Sequence, residues 1–256
     1  MAVFLSTPNI YSSAIKPETP VLAPTPCKSP SDKTTPPGIT ARKTATTCGR
    51  NPETIRLVAV SKTIPSDKVR EAIDAGVTIL GENYIQEAKE KIKALSSYVV
   101  SWHFIGHLQS NKAKYAVRLF DLIHSMDSLK LARELDKQAN KINKIQKVLI
   151  QVNIGAESSK SGVYKQDTIE LVEAIGHLEN LSVKGLMTMP PFFNAPEKVR
   201  PYFKALRQLA SHIAAMNIDG VTMAELAMGM TSDFEVAVEE GATIVRVGTA
   251  IFGERQ

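Results

Sequence analysis

Short apolar runs separated by helical stretches recur along most of this chain, and that alternation restricts the fold more than any other feature. The apolar, β-prone runs lie near residues 55–61, 77–81, 99–105, 119–124, 147–153, 182–187, 222–228 and 243–247. Helical periodicity between them is clearest over residues 66–75, 85–95, 128–141, 167–177, 196–216 and 232–240. Eight strands alternating with helices in one α/β chain predict a single closed parallel (β/α)8 TIM barrel. An open doubly wound sheet is the alternative, but no Gly-x-Gly-x-x-Gly turn follows the first strand.

The pattern begins abruptly. Residues 1–50 are rich in Pro, Ser and Thr, poor in acids and without periodicity. Such a segment buries too little apolar surface to offset its ordering entropy. The expectation is therefore a disordered extension over residues 1–50 and a barrel domain over residues 51–256. The same composition also fits organelle import or a partner-docking tail. Cys27 and Cys48 make neither a disulfide framework nor a zinc spacing, which points to a reducing, cytoplasmic compartment.

Other classes are disfavoured. The chain is 43% apolar and 22% charged, with no apolar run long enough to span a bilayer. Net charge is +5, but Lys130, Arg133, Lys137, Lys141 and Lys144 are interspersed with Glu134 and Asp136, as on a solvated helix face. Aromatic content of 6% offers little base stacking, so no nucleic-acid partner is expected. His103 and His107, four residues apart on a predicted strand, would share a face, yet no third ligand accompanies them. No metal is expected, and His103 reads as a core residue.

A barrel of this kind collects its chemistry after the C-terminal ends of its strands. Polar residues stand there after all but the sixth strand: Lys62, Glu82-Asn83, His107 with Gln109 to Lys112, Ser125, Ser158 to Gly162, Gly229 to Asp233 and Gly248-Thr249, with Met189-Pro190 after the sixth. Lys62 ends the run Leu57-Val58-Ala59-Val60-Ser61, where an apolar wall can strip solvation from its amine and favour Schiff-base chemistry. Phosphate in this fold is held after the seventh and eighth strands, often at a helix N-terminus. Gly229-Met230-Thr231-Ser232-Asp233 opens a predicted helix; Gly229 would allow close approach of a ligand, and Thr231 or Ser232 would cap the helix or bind phosphate. Gly248-Thr249 repeats the pattern one strand later. A phosphate and an activated lysine on one mouth suggest pyridoxal 5′-phosphate. Arg246, inside the eighth strand, either pairs with Glu225 or faces the cofactor's ring nitrogen. An arginine there would leave that nitrogen unprotonated and the ring a weak electron sink.

The residues that carry a family resemblance are now in place: Val58-Ala59-Val60-Ser61-Lys62-Thr63, Gly81-Glu82-Asn83-Tyr84, the run from Trp102 to Lys112, Ser159-Lys160-Ser161-Gly162, Met228 to Asp233, and Arg246 to Gly253. In this order they resemble the pyridoxal phosphate homeostasis proteins, which are similar to the N-terminal barrel of alanine racemase. The resemblance implies that Lys62 carries the cofactor, that Thr231, Gly248 and Thr249 bind its phosphate beside Gly229 and Met230, that Arg246 faces the ring nitrogen and that Asn83 lines the pocket. It also implies a monomeric cofactor carrier serving pyridoxal-phosphate-dependent apoenzymes and amino-acid balance, without established turnover. A racemase-like enzyme is the alternative. Racemases of the related fold add a β-rich domain with a catalytic tyrosine, whereas this chain ends at Gln256, directly after the eighth strand. Tyr84, Tyr115 and Tyr164 read as packing or surface residues, and Lys112 and Lys160 as surface charges or transient cofactor acceptors. The family's usual Ser is Thr231 here, and only the tail of its long first helix remains, around residues 41–50.

Overall fold

The computed structural model describes residues 36–254. Its strands are β1 (Arg56–Val60), β2 (Ile79–Glu82), β3 (Ser101–Phe104), β4 (Leu122–Met126), β5 (Gln146–Asn153), the two-residue β6 (Val163–Tyr164), β7 (Leu181–Met187), β8 (Val221–Ala227) and β9 (Ile244–Val247). All but β6 form the barrel, in the order β4-β3-β2-β1-β9-β8-β7-β5, and β4 pairs with β5 to close it. Every pairing is parallel. The expected (β/α)8 barrel is the fold. The helices are α1 (Pro37–Thr47), α2 (Ser66–Asp74), α3 (Ile85–Ala94), α4 (Ala113–Leu119), α5 (Leu129–Asn140), α6 (Thr168–Gly176), α7 (Arg200–Ala215), α8 (Phe234–Glu239) and α9 (Thr249–Phe252).

Strand alternation divides the apolar residues into two cores. Val58, Leu122, Leu149, Met187, Ala227 and Ile244 meet as one cluster, which fills the barrel. Their strand neighbours, among them Ala59, Ile123, Val148, Ile150, Leu186, Leu226 and Val245, join the larger layer under the helices. Phe104 and Phe120 meet edge-on in that layer with centroids 5.1 Å apart, a geometry worth about 1 kcal/mol beyond burial.

Residues 37–50 correct the expectation of disorder to residue 50. Pro37 opens α1, where a missing N–H costs nothing. Ala41, Thr44 and Ala45, at i, i+3 and i+4, are buried, and α1 packs against α8. Arg50 Nη1 donates to the Val238 carbonyl at 2.5 Å, fastening the chain beyond α1 to α8. Small residues line this face, so the sequence gives little apolar contrast from which to read a helix. Residues 1–35, including Cys27, lie outside the described residues.

The strand expected at residues 119–124 starts later. Leu119 still belongs to α4, and Asp121 turns the chain by accepting from Ser101 Oγ and the Trp102 N–H, both at 2.9 Å.

His103 and His107 do not share a face. β3 ends at Phe104, which leaves His107 in the following loop with its side chain 60% exposed. His103 is buried in the strand, and its Nδ1 lies 3.0 Å from Nε2 of the fully buried His124. Burial lowers His103 to about 4, with Arg56 adding to the shift and Asp121 opposing it. Burial also drives His124 well below 6.5, reinforced by His103, Arg246 and Arg56. Both are neutral in the fold at neutral pH.

The unfolded chain therefore binds more protons between pH 6.5 and about 4, so stability falls as pH drops through that window. A shift from 6.5 to about 4 makes His103 alone responsible for about 3 kcal/mol. Imidazole NMR should find two of the five histidines still neutral at about pH 5. Titration of both His103 and His124 near 6.5 would contradict this reading.

Candidate functional site

The sequence-selected residues collect at the C-terminal end of the barrel. β1 delivers Ser61-Lys62-Thr63, a corner in which Thr63 takes φ +63°. Its N–H donates to Glu87 Oε1. Lys62 is half-buried. Gly248 follows β9 on the neighbouring strand, and a Cβ built there would lie 3.4 Å from Val60 Cβ and 3.4 Å from its carbonyl oxygen. The loop after β9 therefore lies against the end of the strand that carries Lys62.

The loop after β8 is tied to the same edge. The Arg246 N–H donates to Gly229 O at 3.0 Å, extending the β8–β9 pairing beyond the strands. Gly229 has φ +92°, and a Cβ there would come within 2.5 Å of Ala237 Cβ and 2.9 Å of Phe234 Cα. The packing of α8 thus requires this glycine, whatever approaches the loop from the mouth.

The helix predicted from residue 232 begins at Phe234 instead. Asp233, rather than Thr231 or Ser232, stands at its N-cap position, without a side-chain capping bond. The Asp233 carboxylate reaches back to accept from the Met230 N–H at 2.6 Å, so that donor is already engaged. Burial pushes Asp233 upward, while Met230 and the charge of Arg246 pull it down. Thr231 and Thr249 are exposed and Gly248 is half-buried.

Arg246 does not pair with Glu225. Glu225 instead meets Arg56 and accepts from Thr243 Oγ1 at 2.7 Å. Arg246 is 4% exposed and donates through Nη1 to Ala227 O and through Nη2 to Thr188 O, both at 2.9 Å. Burial lowers it to about 10, opposed by Asp233, and it stays charged at neutral pH. Among the described residues this buried cation is held by carbonyl oxygens and a more distant carboxylate, which is costly to keep.

Buried polar atoms at this end without a hydrogen-bond partner among the described residues include Asn83 Oδ1 after β2 and Ser125 Oγ near the end of β4. Orphaned buried atoms of this kind are what a polar ligand satisfies. Together with the hydroxyls and backbone of the last two loops, a lysine amine and a buried guanidinium, they fit a compact anionic ligand with further polar groups.

Other residues fall away from a chemical role. His107 Nδ1 lies 3.5 Å from Ser161 Oγ and 3.9 Å from Asp127 Oδ2. Both approach the same nitrogen, so the imidazole cannot relay a proton from the serine to the carboxylate as a triad does. Lys160 pairs with Glu157 at 2.7 Å and donates to Met189 O at 3.4 Å. Lys112 closes the short turn Ser110–Lys112 before α4. Tyr84 and Tyr164 are exposed, and Tyr115 lies under the Lys114 ammonium at 4.7 Å. Among the described residues no His/Cys/Asp/Glu group could hold a metal, and no helix is long and apolar enough to cross a membrane.

Sequence reading missed Lys91 and Glu87. Lys91 is a buried lysine at the position where α3 continues its inward face of Ile85 and Ala88. That face is the signal that could have revealed it.

Comparison with known proteins gives a consistent picture. Residues 43–256 match the family described as alanine racemase, N-terminal domain. The pyridoxal phosphate homeostasis protein of Aquifex aeolicus is 46% identical over 215 residues, covering 84% of this chain and 93% of that protein. Its Escherichia coli counterpart is 44% identical over 216 residues, covering 82% and 90%. Among solved structures, PipY of Synechococcus elongatus with pyridoxal phosphate bound superposes with TM-score 0.73 at 35% identity, covering 84% of this chain and 100% of that one. Alanine racemase of Clostridium difficile shares the fold, with TM-score 0.62 at 14% identity over 85% of this chain and 56% of that one. Covering 90% or more of both pyridoxal phosphate homeostasis proteins at 44–46% identity, the chain belongs to the pyridoxal phosphate homeostasis protein family.

Proposed function

We propose that this chain carries pyridoxal 5′-phosphate in the cell and contributes to its homeostasis and to amino-acid balance. The observation that carries the reading is the placement of Lys62 at the end of β1, with the Gly248-Thr249 loop packed against that strand. The relative PipY, solved with this cofactor bound, supports it. Lys62 would hold the cofactor covalently, its Nζ being the amine placed to meet the aldehyde. Thr231, Gly248 and Thr249 receive the phosphate, with Gly229 and Met230 shaping that loop. Arg246 faces the ring nitrogen, and Asn83 lines the pocket. Bound pyridoxal phosphate supplies an electrophilic aldehyde and an electron-withdrawing ring.

The arginine limits what that ring can do. A guanidinium charged at neutral pH donates and cannot accept, so the pyridine nitrogen stays unprotonated and stabilises a carbanion poorly. This favours storage and delivery over turnover, as does the name homeostasis protein shared by the relatives. We place the chain in the cytoplasm as a monomer that passes its cofactor to apoenzymes.

The test is a visible absorbance spectrum with pyridoxal phosphate, followed by borohydride reduction and peptide mass spectrometry. The expected result is a lysine-linked absorbance band and a reduced adduct confined to the peptide containing Lys62. Adduct spread over surface lysines, with no distinct band, would overturn the proposal.

A further inference from the structure

The corner that bears Lys62 is held from behind by a buried ion pair. Lys91 Nζ lies 2.8 Å from Glu82 Oε1, with side chains 5% and 0% exposed. Glu82 is on the same strand face as Leu80, which packs under the helices, and Lys91 is on the inward face of α3. The pair therefore sits outside the barrel wall, away from the mouth. An ion pair in an apolar layer loses much of its Coulombic gain to desolvation, so stability alone is a weak reason to keep it. Burial pushes the Glu82 carboxyl upward, against the pull of Lys91 and Ser61.

Its hydrogen bonds suggest another reason. Ser61 Oγ donates to Glu82 Oε1 at 2.6 Å. Lys91 Nζ donates to the Ser61 carbonyl and to Glu87 Oε1 at 2.5 Å. The same Glu87 oxygen accepts the N–H of Thr63. Both chain neighbours of Lys62 are thus fastened to one charged cluster. Thr63 needs such a hold, because φ +63° places a β-branched residue in the left-handed region, at a cost of about 1–2 kcal/mol.

We propose that Glu82, Lys91 and Glu87 are positioning residues that fix the backbone on both sides of Lys62 and so aim its amine at the bound aldehyde. The proposal rests on the reading of Lys62 as the cofactor-bearing lysine. Release of the cluster would leave the pocket able to bind phosphate and ring, while the lysine samples the reacting geometry less often.

The experiment compares wild type with the charge-neutral pair Glu82→Gln/Lys91→Met, which leaves neither buried charge without its partner. Two quantities are read on the full chain: the rate of borohydride-trappable attachment of pyridoxal phosphate, and the affinity for pyridoxine 5′-phosphate, which lacks the aldehyde. The expected result is attachment slowed roughly tenfold or more, with analogue affinity unchanged within about twofold. Unchanged attachment overturns the proposal. An equal loss in both quantities also overturns it, since that marks a merely structural role. If the double variant does not fold, Glu87→Gln decides: it is expected to slow attachment about threefold, and an unaltered rate overturns the proposal. Absence of attachment in the wild type would instead refute the parent reading of Lys62.

Discussion

Lys62→Ala is expected to abolish covalently held pyridoxal phosphate while leaving the fold intact. The hydrogen bonds that shape this corner come from Ser61 and from the Thr63 N–H, and alanine preserves them all. Lys62 is half-buried, outside both apolar cores. The melting temperature without cofactor should therefore stay within about 3 °C of wild type. Borohydride should fix no cofactor, because no other lysine among the described residues shares a corner fastened in this way. The variant should still take up pyridoxal phosphate reversibly through its phosphate and ring, with weaker affinity. Equilibrium dialysis beside whole-protein mass spectrometry separates the two modes. A stoichiometric reduced adduct in Lys62→Ala would show that the functional lysine lies elsewhere.

Gly185→Ala should have the largest effect on stability. A Cβ at Gly185 would sit 1.8 Å from the Glu225 carbonyl oxygen and 2.6 Å from its carbon. These are backbone atoms of β8, the strand paired with β7 at that position, so no rotamer change relieves the contact. The pairing of β7 with both neighbours shifts register at Val183–Gly185, and the strand curves there. Alanine must break the β7–β8 ladder beside Ala227 and Thr188, whose carbonyls receive Arg246. We expect a loss of about 4 kcal/mol or more, which lowers the melting temperature by roughly 10 °C. A melt within about 3 °C of wild type would show that β7 can bend away from β8 at little cost.

The barrel was legible because its strands and helices announce themselves locally. The apolar runs of β1, β7 and β9 and the inward faces of α5 and α7 leave their mark in the sequence itself. α1 and α4 escaped for the opposite reason. The buried face of α1 is Ala41, Thr44 and Ala45, and that of α4 is Ala113, Ala116 and Val117. Small residues of this kind pack closely on a neighbour yet give a weak apolar pattern.

Lys62, Gly248, Thr231 and Thr249 could be placed on one mouth from sequence because a closed parallel barrel brings every strand's C-terminal end to one side. The partners of these residues could not be read in that way. Arg246 reaches Thr188, 58 positions earlier, and the imidazole of His124 meets that of His103, 21 positions away. Lys91 meets the Ser61 carbonyl across 30. Which buried polar group finds which depends on strand register and on closure of the ring of strands, and neither leaves a local period in the chain. The sequence by itself determined the order of the eight barrel strands and of most helices between them, the lysine at the end of β1 and the small, hydroxyl-bearing loops after β8 and β9. The tertiary structure alone decided that Arg246 bonds carbonyls rather than Glu225, that Gly229 answers to α8, and that Glu82 and Lys91 secure the corner of Lys62, because those choices are made by contacts between segments distant in sequence.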